Sequence, residues 1–266
     1  MLADCHNHTC FSGDSEAPVR GQIERAIALG MEEMCITDHH DYDVNSGSID
    51  FTLDIPRYLN EMQRMKEEYR DRIQLHIGIE LGLQPHLKSY FQELLEKYSF
   101  DFVIGSTHFV RGLDPYYPEF FDSRTEEDGY RDYFETMLEN CQALDEFDSA
   151  GHLDYVVRYG PNQNKFYSYK KYQEWIDEIL ATLIKKGKGL ECNTAGFAKN
   201  LGQPHPHPDI LKRYRQMGGE ILTIGSDAHD AVHLGYAFAQ TQELLKECGF
   251  RYYTVFVDRK PVFRKL

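Results

Sequence analysis

Histidines and carboxylates recur along this chain, each shortly after a short apolar run. The first is a His-X-His pair, His6 and His8, and the later groups are Asp38-His39-His40, Glu80, His108, His152, Glu191-Cys192-Asn193 and Asp227-Ala228-His229. Residues i and i+2 of a strand point to the same side, so we expect His6 and His8 to reach one ion, and Asp227 and His229 likewise. Neutral imidazole and carboxylate suit Zn, Fe or Mn. The pattern predicts a metal site built from strand ends.

The elements that position these groups alternate along the chain. Apolar runs predict strands, amphipathic segments predict helices, and a last strand-like run precedes a basic tail. The predicted strands are 1–4, 34–37, 75–81, 102–106, 147–151, 189–192, 221–225 and 252–257. The predicted helices are 18–29, 55–69, 86–98, 126–144, 169–186, 208–217 and 235–248. Repeated strand–helix units favour a parallel α/β barrel with helices outside.

The candidate ligands all fall at strand-to-helix junctions, which in such a barrel lie together at the C-terminal mouth of the strands. A chain of 266 residues fits one domain of this kind, and no Gly/Ser/Pro-rich linker divides it. We therefore expect residues 1–266 to form a single catalytic domain with its metal site at the mouth.

The net charge, the length of the apolar runs and the cysteine spacing limit the molecules that this protein could bind and the compartment in which it would work. A net charge of -14 argues against binding DNA or RNA, although divalent cations in a cleft would still admit a small phosphate ester. No run approaches the roughly 18 apolar residues of a membrane span, and the chain start has no leader pattern, so we expect a cytoplasmic protein. The six cysteines are scattered without a Cys-X-X-Cys motif, which favours reduced thiols. The oligomeric state is left open.

Six motifs together resemble the polymerase and histidinol phosphatase (PHP) superfamily over nearly the whole chain. They are Asp-Cys-His-Asn-His-Thr at 4–9, Ile-Thr-Asp-His at 36–39, Gly-Ile-Glu at 78–80, Gly-Ser-Thr-His at 105–108, Gly-His-Leu-Asp at 151–154 and Gly-Ser-Asp-Ala-His at 225–229. Leu-Glu-Cys-Asn-Thr-Ala-Gly at 190–196 and the run Asp227 to Asp230 are most similar to the monofunctional histidinol-phosphate phosphatases. The resemblance implies a distorted (β/α)7 barrel with a trinuclear metal centre of Zn, Fe or Mn.

Carried over position by position, the resemblance also implies which residues hold each ion. The first ion would be held by His6, His8, Glu80 and Asp227, the second by Glu80, His108 and His152, and the third by Asp14, His39 and His229. Glu80 would bridge the first two ions, the arrangement of two-metal hydrolases. For Asp14 the alternative is an ordinary turn residue after Gly13.

The implied reaction is hydrolysis of a small phosphate monoester, histidinol phosphate, by a metal-bridging hydroxide. Arg158 is the candidate for binding the phosphoryl oxygens, because its planar fork matches phosphate; a surface ion pair is the alternative. Asp14, His39 or His40 would supply or relay the proton to the leaving alkoxide. A carboxylate or aromatic group from 113–121 or 197–207 is expected to receive the cationic distal end of the substrate.

Three other functions stay open at this point. One is a PHP phosphoesterase acting on another small monoester, such as a nucleotide or sugar phosphate. The second is a nuclease, against which the acidic balance argues, and the third is a catalytically silent metal-binding scaffold. The chain has no Walker A loop, Gly-X-Ser-X-Gly elbow or Gly-X-Gly-X-X-Gly, so triphosphate, serine-esterase and dinucleotide chemistry are not expected.

Overall fold

Parallel strands form the centre of the molecule. The computed structural model describes residues 2–44, 47 and 49–266. The strands are β1 (Glu33–Ile36), β2 (His39–His40), β3 (Gln74–Gly82), β4 (Phe102–Ser106), β5 (Ser149–Ala150), β6 (Gly189–Asn193) and β7 (Leu222–Gly225). Their order is β1-β3-β4-β5-β6-β7, and β2 pairs with β3 beyond the end of β1. The sheet therefore follows chain order, as the alternation of elements predicts.

The N-terminal segment lies between the first and last strands and closes the ring. The Cys35 backbone N–H donates to the carbonyl of Asp4, and the Cys5 N–H donates to the carbonyl of Ile224, both at 2.9 Å. The segment makes isolated bridges rather than a continuous ladder, so the strand predicted at 1–4 is present in that reduced form. Met1 lies outside the described residues. The predicted parallel α/β barrel with helices outside is therefore confirmed.

Helices cover the outside of the barrel. They are α1 (Val19–Ala28), α2 (Ile55–Tyr69), α3 (Lys88–Lys97), α4 (Glu126–Ala143), α5 (Gln173–Lys186), α6 (Ala195–Ala198), α7 (Pro208–Gln216) and α8 (Phe238–Glu247). In α2 the buried residues Tyr58, Met62, Met65 and Tyr69 recur at helical spacing and face the sheet. Most strand residues are buried, because the barrel interior covers one face and the helices cover the other.

The segment that carries Arg158 differs from the prediction in a way that affects the site. The strand predicted at 147–151 is only the two residues of β5. A 3-10 helix, Tyr155–Arg158, follows it, and Arg158 is the last residue of this helical turn. Two predicted helices also begin with 3-10 turns, Pro85–Leu87 before α3 and Tyr169–Tyr172 before α5.

The predicted basic tail is a strand. β9 (Lys260–Lys265) pairs antiparallel with β8 (Tyr252–Val257). Arg264 Nε lies 2.6 Å from Glu33 Oε1 at the start of β1, and Arg259 pairs with Asp148 just before β5. The hairpin therefore closes the N-terminal end of the barrel, opposite the candidate site. Composition alone did not reveal it, because the basic side chains are ordered by carboxylates that are distant in sequence.

Two further observations concern the chain as a whole. Among the described residues, no helix is long and apolar enough to cross a membrane. All six cysteines are free thiols, as the absence of a disulfide pattern predicts, and only Cys10 is exposed.

Candidate metal centre

The structure brings all nine predicted ligand residues to the C-terminal mouth of the barrel. The N-terminal segment and its following loop carry His6, His8 and Asp14; β2 and β3 carry His39 and Glu80; and the loops after β4, β5 and β7 carry His108, His152, Asp227 and His229. Most of these side chains are buried. Asp14 and His229 keep 32% and 31% of their side-chain surface exposed, so this pair forms the open side of the cluster.

The first predicted group converges on two carboxylate oxygens. His6 Nε2 lies 3.2 Å from Glu80 Oε2 and 3.7 Å from Asp227 Oδ1. His8 Nε2 lies 3.6 Å and 3.2 Å from the same two oxygens. Both imidazole nitrogens and Glu80 Oε2 are fully buried, and none has a hydrogen-bond partner among the described residues. Buried polar atoms of this kind need a partner, and a cation bound between them would accept a lone pair from each of them.

The second predicted group uses the other oxygen of the same glutamate. Glu80 Oε1 lies 3.1 Å from His152 Nε2 and 3.4 Å from His108 Nε2, and the two imidazole nitrogens are 3.4 Å apart. Ser106 also donates a 2.6 Å hydrogen bond to Oε1. Glu80 thus turns one oxygen toward each group, which is the geometry that a bridging carboxylate requires.

The third predicted group lies nearest the solvent. Asp14 Oδ2 is 3.1 Å from His229 Nε2 and 3.8 Å from His39 Nε2. The His8 ring stacks between the His39 and His229 rings, with a centroid distance of 4.2 Å to each. The three groups therefore form one continuous cluster rather than three separate sites.

Asp227 reaches the cluster from a loop rather than from a strand. The expectation that Asp227 and His229 share one side of a strand was wrong, because β7 ends at Gly225. Asp227 has φ of 55°, a left-handed conformation that is rare outside glycine and typical of functional sites. Gly225 permits the close approach to His6, since a Cβ at position 225 would lie 2.2 Å from the Cβ of His6.

Two buried carboxylates hold the imidazoles and were not assigned roles from the sequence. Glu191 Oε1 lies 2.7 Å from His6 Nδ1. Asp41 Oδ1 lies 2.8 Å from His108 Nδ1, and its Oδ2 lies 3.5 Å from His39 Nδ1. Such outer carboxylates fix the tautomer and orientation of a metal-binding imidazole. Glu191 belongs to one of the strand-end groups of the sequence, and Asp41 could have been found from its place two residues after His39.

Two residues of the Asp38-His39-His40 motif lie outside the cluster. His40 Nε2 is 2.7 Å from the Tyr90 hydroxyl, and its Nδ1 accepts the Leu53 N–H at 3.0 Å. Both ring nitrogens of His40 are therefore occupied, so it is not placed to relay a proton. Asp38 accepts hydrogen bonds from the backbone N–H and the hydroxyl of Thr9, and so it caps the loop after His8.

The charges within the cluster keep its carboxylates ionised, which is the form that binds metal ions. Burial by itself would raise the pKa of Glu80 and of Asp227, but the surrounding imidazoles, His6 foremost, hold both pKa values well below their usual range. Burial and the neighbouring His229 and His39 lower the pKa of His8 to about 3, so this imidazole is neutral. Ionised carboxylate and neutral imidazole are the forms that bind transition metals.

Arg158 lies beside this cluster and lines a cavity of about 560 Å³. Its Nη1 is 3.3 Å from Asp227 Oδ2, and its guanidinium carbon is 4.3 Å from the centroid of the Tyr155 ring. The side chain is only 8% exposed, and its Nε has no hydrogen-bond partner among the described residues. Asp227 and Tyr155 therefore hold the guanidinium from one side. Its Nε–H donor has no partner among the described residues.

The walls of the cavity come partly from the predicted segments. Region 113–121 contributes Asp114, Tyr116 and Tyr117, and region 197–207 contributes Ala198 and Lys199. Sequence reasoning missed two other walls, which are the 3-10 helix after β5 with Tyr155 and Tyr159, and the loop with Asp230, His233 and Tyr236. Both lie in irregular segments that hydrophobic periodicity does not identify.

Comparison with known proteins agrees with this geometry. The PHP domain family matches residues 4–195. The histidinol-phosphatase of Lactococcus lactis subsp. lactis is 34% identical over 258 residues, covering 97% of this chain and 95% of the relative. A probable histidinol-phosphatase of Thermotoga maritima is 30% identical, covering 96% of this chain and 95% of the relative.

Solved structures extend the similarity to three dimensions. The crystal structure of histidinol phosphate phosphatase from Lactococcus lactis, complexed with zinc, L-histidinol and phosphate, superposes with a TM-score of 0.90 at 34% identity and 98% coverage of both chains. A crystal structure from Listeria monocytogenes, at 22% identity, covers 90% of this chain and 99% of that one with a TM-score of 0.79, which supports the fold alone. By its motifs, its barrel and its full-length relatives, the chain belongs to the PHP domain family.

Proposed function

We propose that this protein is a metal-dependent phosphomonoesterase that hydrolyses L-histidinol phosphate to L-histidinol and phosphate, a reaction of histidine biosynthesis. The observation that carries the proposal is the arrangement of Glu80, which turns one oxygen toward each of two histidine groups, beside a cavity that is lined by His152 and Arg158. The substrate follows from the full-length relative whose structure contains zinc, L-histidinol and phosphate.

Three metal ions are proposed, with ligands grouped as the sequence predicts. The groups are His6, His8, Glu80 and Asp227; Glu80, His108 and His152; and Asp14, His39 and His229. The unpartnered buried nitrogens and oxygens fit such ions, and the donor set suits Zn, Fe or Mn. When bound, such ions would act as Lewis acids and would lower the pKa of a water ligand toward about 7, which would make hydroxide available as the nucleophile.

Arg158 is proposed to bind the phosphoryl group. Asp227 and Tyr155 fix the guanidinium from one side, and the remaining donors can bind two phosphoryl oxygens. Because the guanidinium is already oriented and largely buried, it stabilises the charge that develops on these oxygens with little reorganisation. The competing role as a surface ion pair does not fit a side chain that is 8% exposed.

Asp14 and His39 are proposed to handle the proton that the leaving alkoxide requires. They lie at the open side of the cluster, with Asp14 Oδ2 facing His39 Nε2 at 3.8 Å. Burial would raise the pKa of Asp14, but the hydrogen bond with His229 and the charge of His39 lower it below its usual range. The lowered pKa keeps Asp14 ionised and able to bind an ion, so Asp14 would relay a proton from the solvent at the open side of the cluster to the leaving oxygen, and His39 would hold Asp14 in position.

We also propose that residues 1–266 act as one catalytic domain in the cytoplasm. The strand order runs through the whole chain, and the C-terminal hairpin closes the barrel end. Six free thiols suit a reducing compartment.

Steady-state kinetics on purified, metal-loaded protein test the proposed substrate. Phosphate release is measured from L-histidinol phosphate, adenosine monophosphate, glucose 6-phosphate and p-nitrophenyl phosphate. We expect kcat/KM for histidinol phosphate to exceed the others by about 100-fold or more, because a monoester without the matching polar groups leaves polar groups of the site unpaired. A higher kcat/KM for another monoester would contradict the proposed substrate and would identify that monoester as the better candidate. Processing of single-stranded DNA would support the nuclease alternative, and no hydrolysis at all would support the silent scaffold.

A further inference from the structure

We propose that Asp114 selects the substrate by its organic cation: its carboxylate receives the ammonium or imidazolium group of the distal end, against a wall of tyrosine rings. This inference rests on the proposed function and adds the residue that reads the end of the substrate remote from the phosphate. Three observations carry it, which are the pairing of the cavity carboxylates, the partial burial of Asp114 and the course of the aromatic wall.

Asp114 differs from the other carboxylates that line the cavity because they already have cationic or imidazole partners. The paired carboxylates are Asp14 with His229 at 3.1 Å, Asp41 with His108 at 2.8 Å, Asp227 with Arg158 at 3.3 Å and Asp230 with His233 at 2.8 Å. Asp114 Oδ1 accepts the backbone N–H of Tyr116 at 2.8 Å, and among the described residues no basic side chain forms an ion pair with its carboxylate.

The surroundings of Asp114 favour a cationic partner. The side chain is partly buried, and this burial raises the pKa of its carboxyl group above the usual range. Raising a carboxyl pKa by burial means that the ionised form lacks the solvation it would have in water. An ammonium or imidazolium group that entered the cavity would restore this stabilisation with a charge-assisted hydrogen bond.

A continuous row of tyrosines joins the metal cluster to the position of Asp114. The ring centroid of Tyr155 lies 4.9 Å from that of His152, Tyr159 lies 5.0 Å from Tyr155, and Tyr116 lies 5.5 Å from Tyr159. Tyr116 is 59% exposed and so reaches the mouth of the cavity. The faces of tyrosine rings attract cations, so this wall offers a path for the cationic end of a substrate whose phosphate is held at the cluster.

The charges that line the cavity also affect the direction of binding. Arg158 and Asp114 both line it, and the Arg158 guanidinium is paired with Asp227, whereas the Asp114 carboxylate forms no ion pair with a basic side chain of the described residues. A substrate with a dianionic phosphate and a cationic tail is attracted in one orientation and repelled in the reverse one. A monoester with a neutral tail gains only the phosphate contacts, which provides discrimination by charge.

The test compares Asp114→Asn with Asp230→Asn, a matched control that removes the same charge from a cavity carboxylate already paired with a histidine. For each protein, kcat/KM is measured on L-histidinol phosphate and on p-nitrophenyl phosphate, which carries no cation. We expect Asp114→Asn to reduce the ratio of the two values about tenfold or more, mainly through KM for histidinol phosphate, as loss of a charge-assisted hydrogen bond implies. Asp114→Glu should recover part of the ratio, and Asp230→Asn should keep the wild-type ratio.

Two further readouts separate this inference from a structural effect and from the proposed function. L-Histidinol should inhibit wild-type protein competitively, with an inhibition constant that Asp114→Asn raises while the metal content stays the same. Phosphoethanolamine and glycerol phosphate supply a second pair of monoesters, with and without a cation. If wild-type protein does not prefer histidinol phosphate, the proposed function fails, yet a fall in the phosphoethanolamine to glycerol phosphate ratio in Asp114→Asn would still support the inference. An unchanged ratio for both substrate pairs would overturn it.

Discussion

The Glu191 carboxylate joins two imidazole-bearing residues of the cluster: its Oε1 lies 2.7 Å from Nδ1 of His6, and its Oε2 accepts the backbone N–H of His152 at 2.7 Å. The contact at Nδ1 leaves Nε2 of His6 free to face Glu80 and Asp227. Glu191 is therefore a positioning residue for the cluster, since it sets which imidazole nitrogen is offered to an ion.

Glu191→Gln should weaken metal binding while the fold remains. Loss of such an outer carboxylate typically lowers metal affinity by about 10- to 100-fold, because the imidazole is no longer held in one tautomer. Competition with a chromophoric zinc chelator measures the affinity directly. Glu33→Gln is the matched control, since Glu33 makes its ion pair with Arg264 at the opposite end of the barrel. Equal zinc affinity in Glu191→Gln and wild-type protein would contradict the positioning role.

Arg158→Ala should impair turnover without removing metal. Loss of a fixed charge that stabilises the transition state costs about 100- to 1,000-fold in kcat. We expect Arg158→Lys to recover little of this loss, because an ammonium group cannot bind two phosphoryl oxygens as the guanidinium does. Phosphate release and metal analysis by mass spectrometry are measured on the same samples. Arg124→Ala, which removes an arginine paired with Asp132, serves as the control. Normal kinetics in Arg158→Ala would remove Arg158 from the mechanism.

Metal affinity should rise with pH. Burial would lower the pKa of His108, but Asp41 and Glu80 raise it to about 10, and nearby carboxylates likewise raise the pKa of His6 above its usual range. The ion-free protein therefore carries protons that a bound ion must displace, so higher pH favours the metal-bound form. Zinc affinity at pH 6, 7 and 8 measures this dependence. Affinity that stays constant or falls as the pH rises would show that these protons do not compete with the ion.

Protonation of His40 should destabilise the metal-free fold at acid pH. Burial lowers the pKa of His40 to about 4, whereas the unfolded chain has its usual value near 6.5. As the pH falls from 6.5 to 4, the unfolded state gains a proton that the folded state does not, and stability decreases by up to about 3 kcal/mol. Denaturant unfolding of His40→Gln should show a smaller decrease over this range. His86→Gln, at an exposed imidazole, should behave as wild type. Identical pH profiles for His40→Gln and wild type would exclude this role.

The sequence predicted the barrel and the convergence of the cluster because both follow from regular elements. Strand ends of one parallel barrel meet at one mouth, so His39 and Glu80 had to lie close together once β2 and β3 paired. Asp227 shows the limit of that reasoning. Its carboxylate enters the cluster through a left-handed backbone in a loop, and strand periodicity cannot predict such a conformation.

The supporting residues were harder to predict for a related reason. Asp41 and Glu191 act through contacts with imidazoles that are distant in sequence, 67 and 185 residues away. The 3-10 helix Tyr155–Arg158 and the strand β9 take their form from packing and ion pairs rather than from periodic patterns. Apart from the place of Asp41 two residues after His39, local sequence carries little signal for these features, although each contributes to the site or to the closed barrel end.

The most direct test of the central claim is phosphate release from L-histidinol phosphate by one protein preparation before and after metal removal. The protein is treated with a chelator until metal analysis finds no bound ion, and zinc, manganese or iron(II) is then restored. We predict that the metal-free protein releases no phosphate above background and that activity returns as the His/carboxylate cluster is refilled. Wild-type turnover by protein shown to contain no metal would contradict the account.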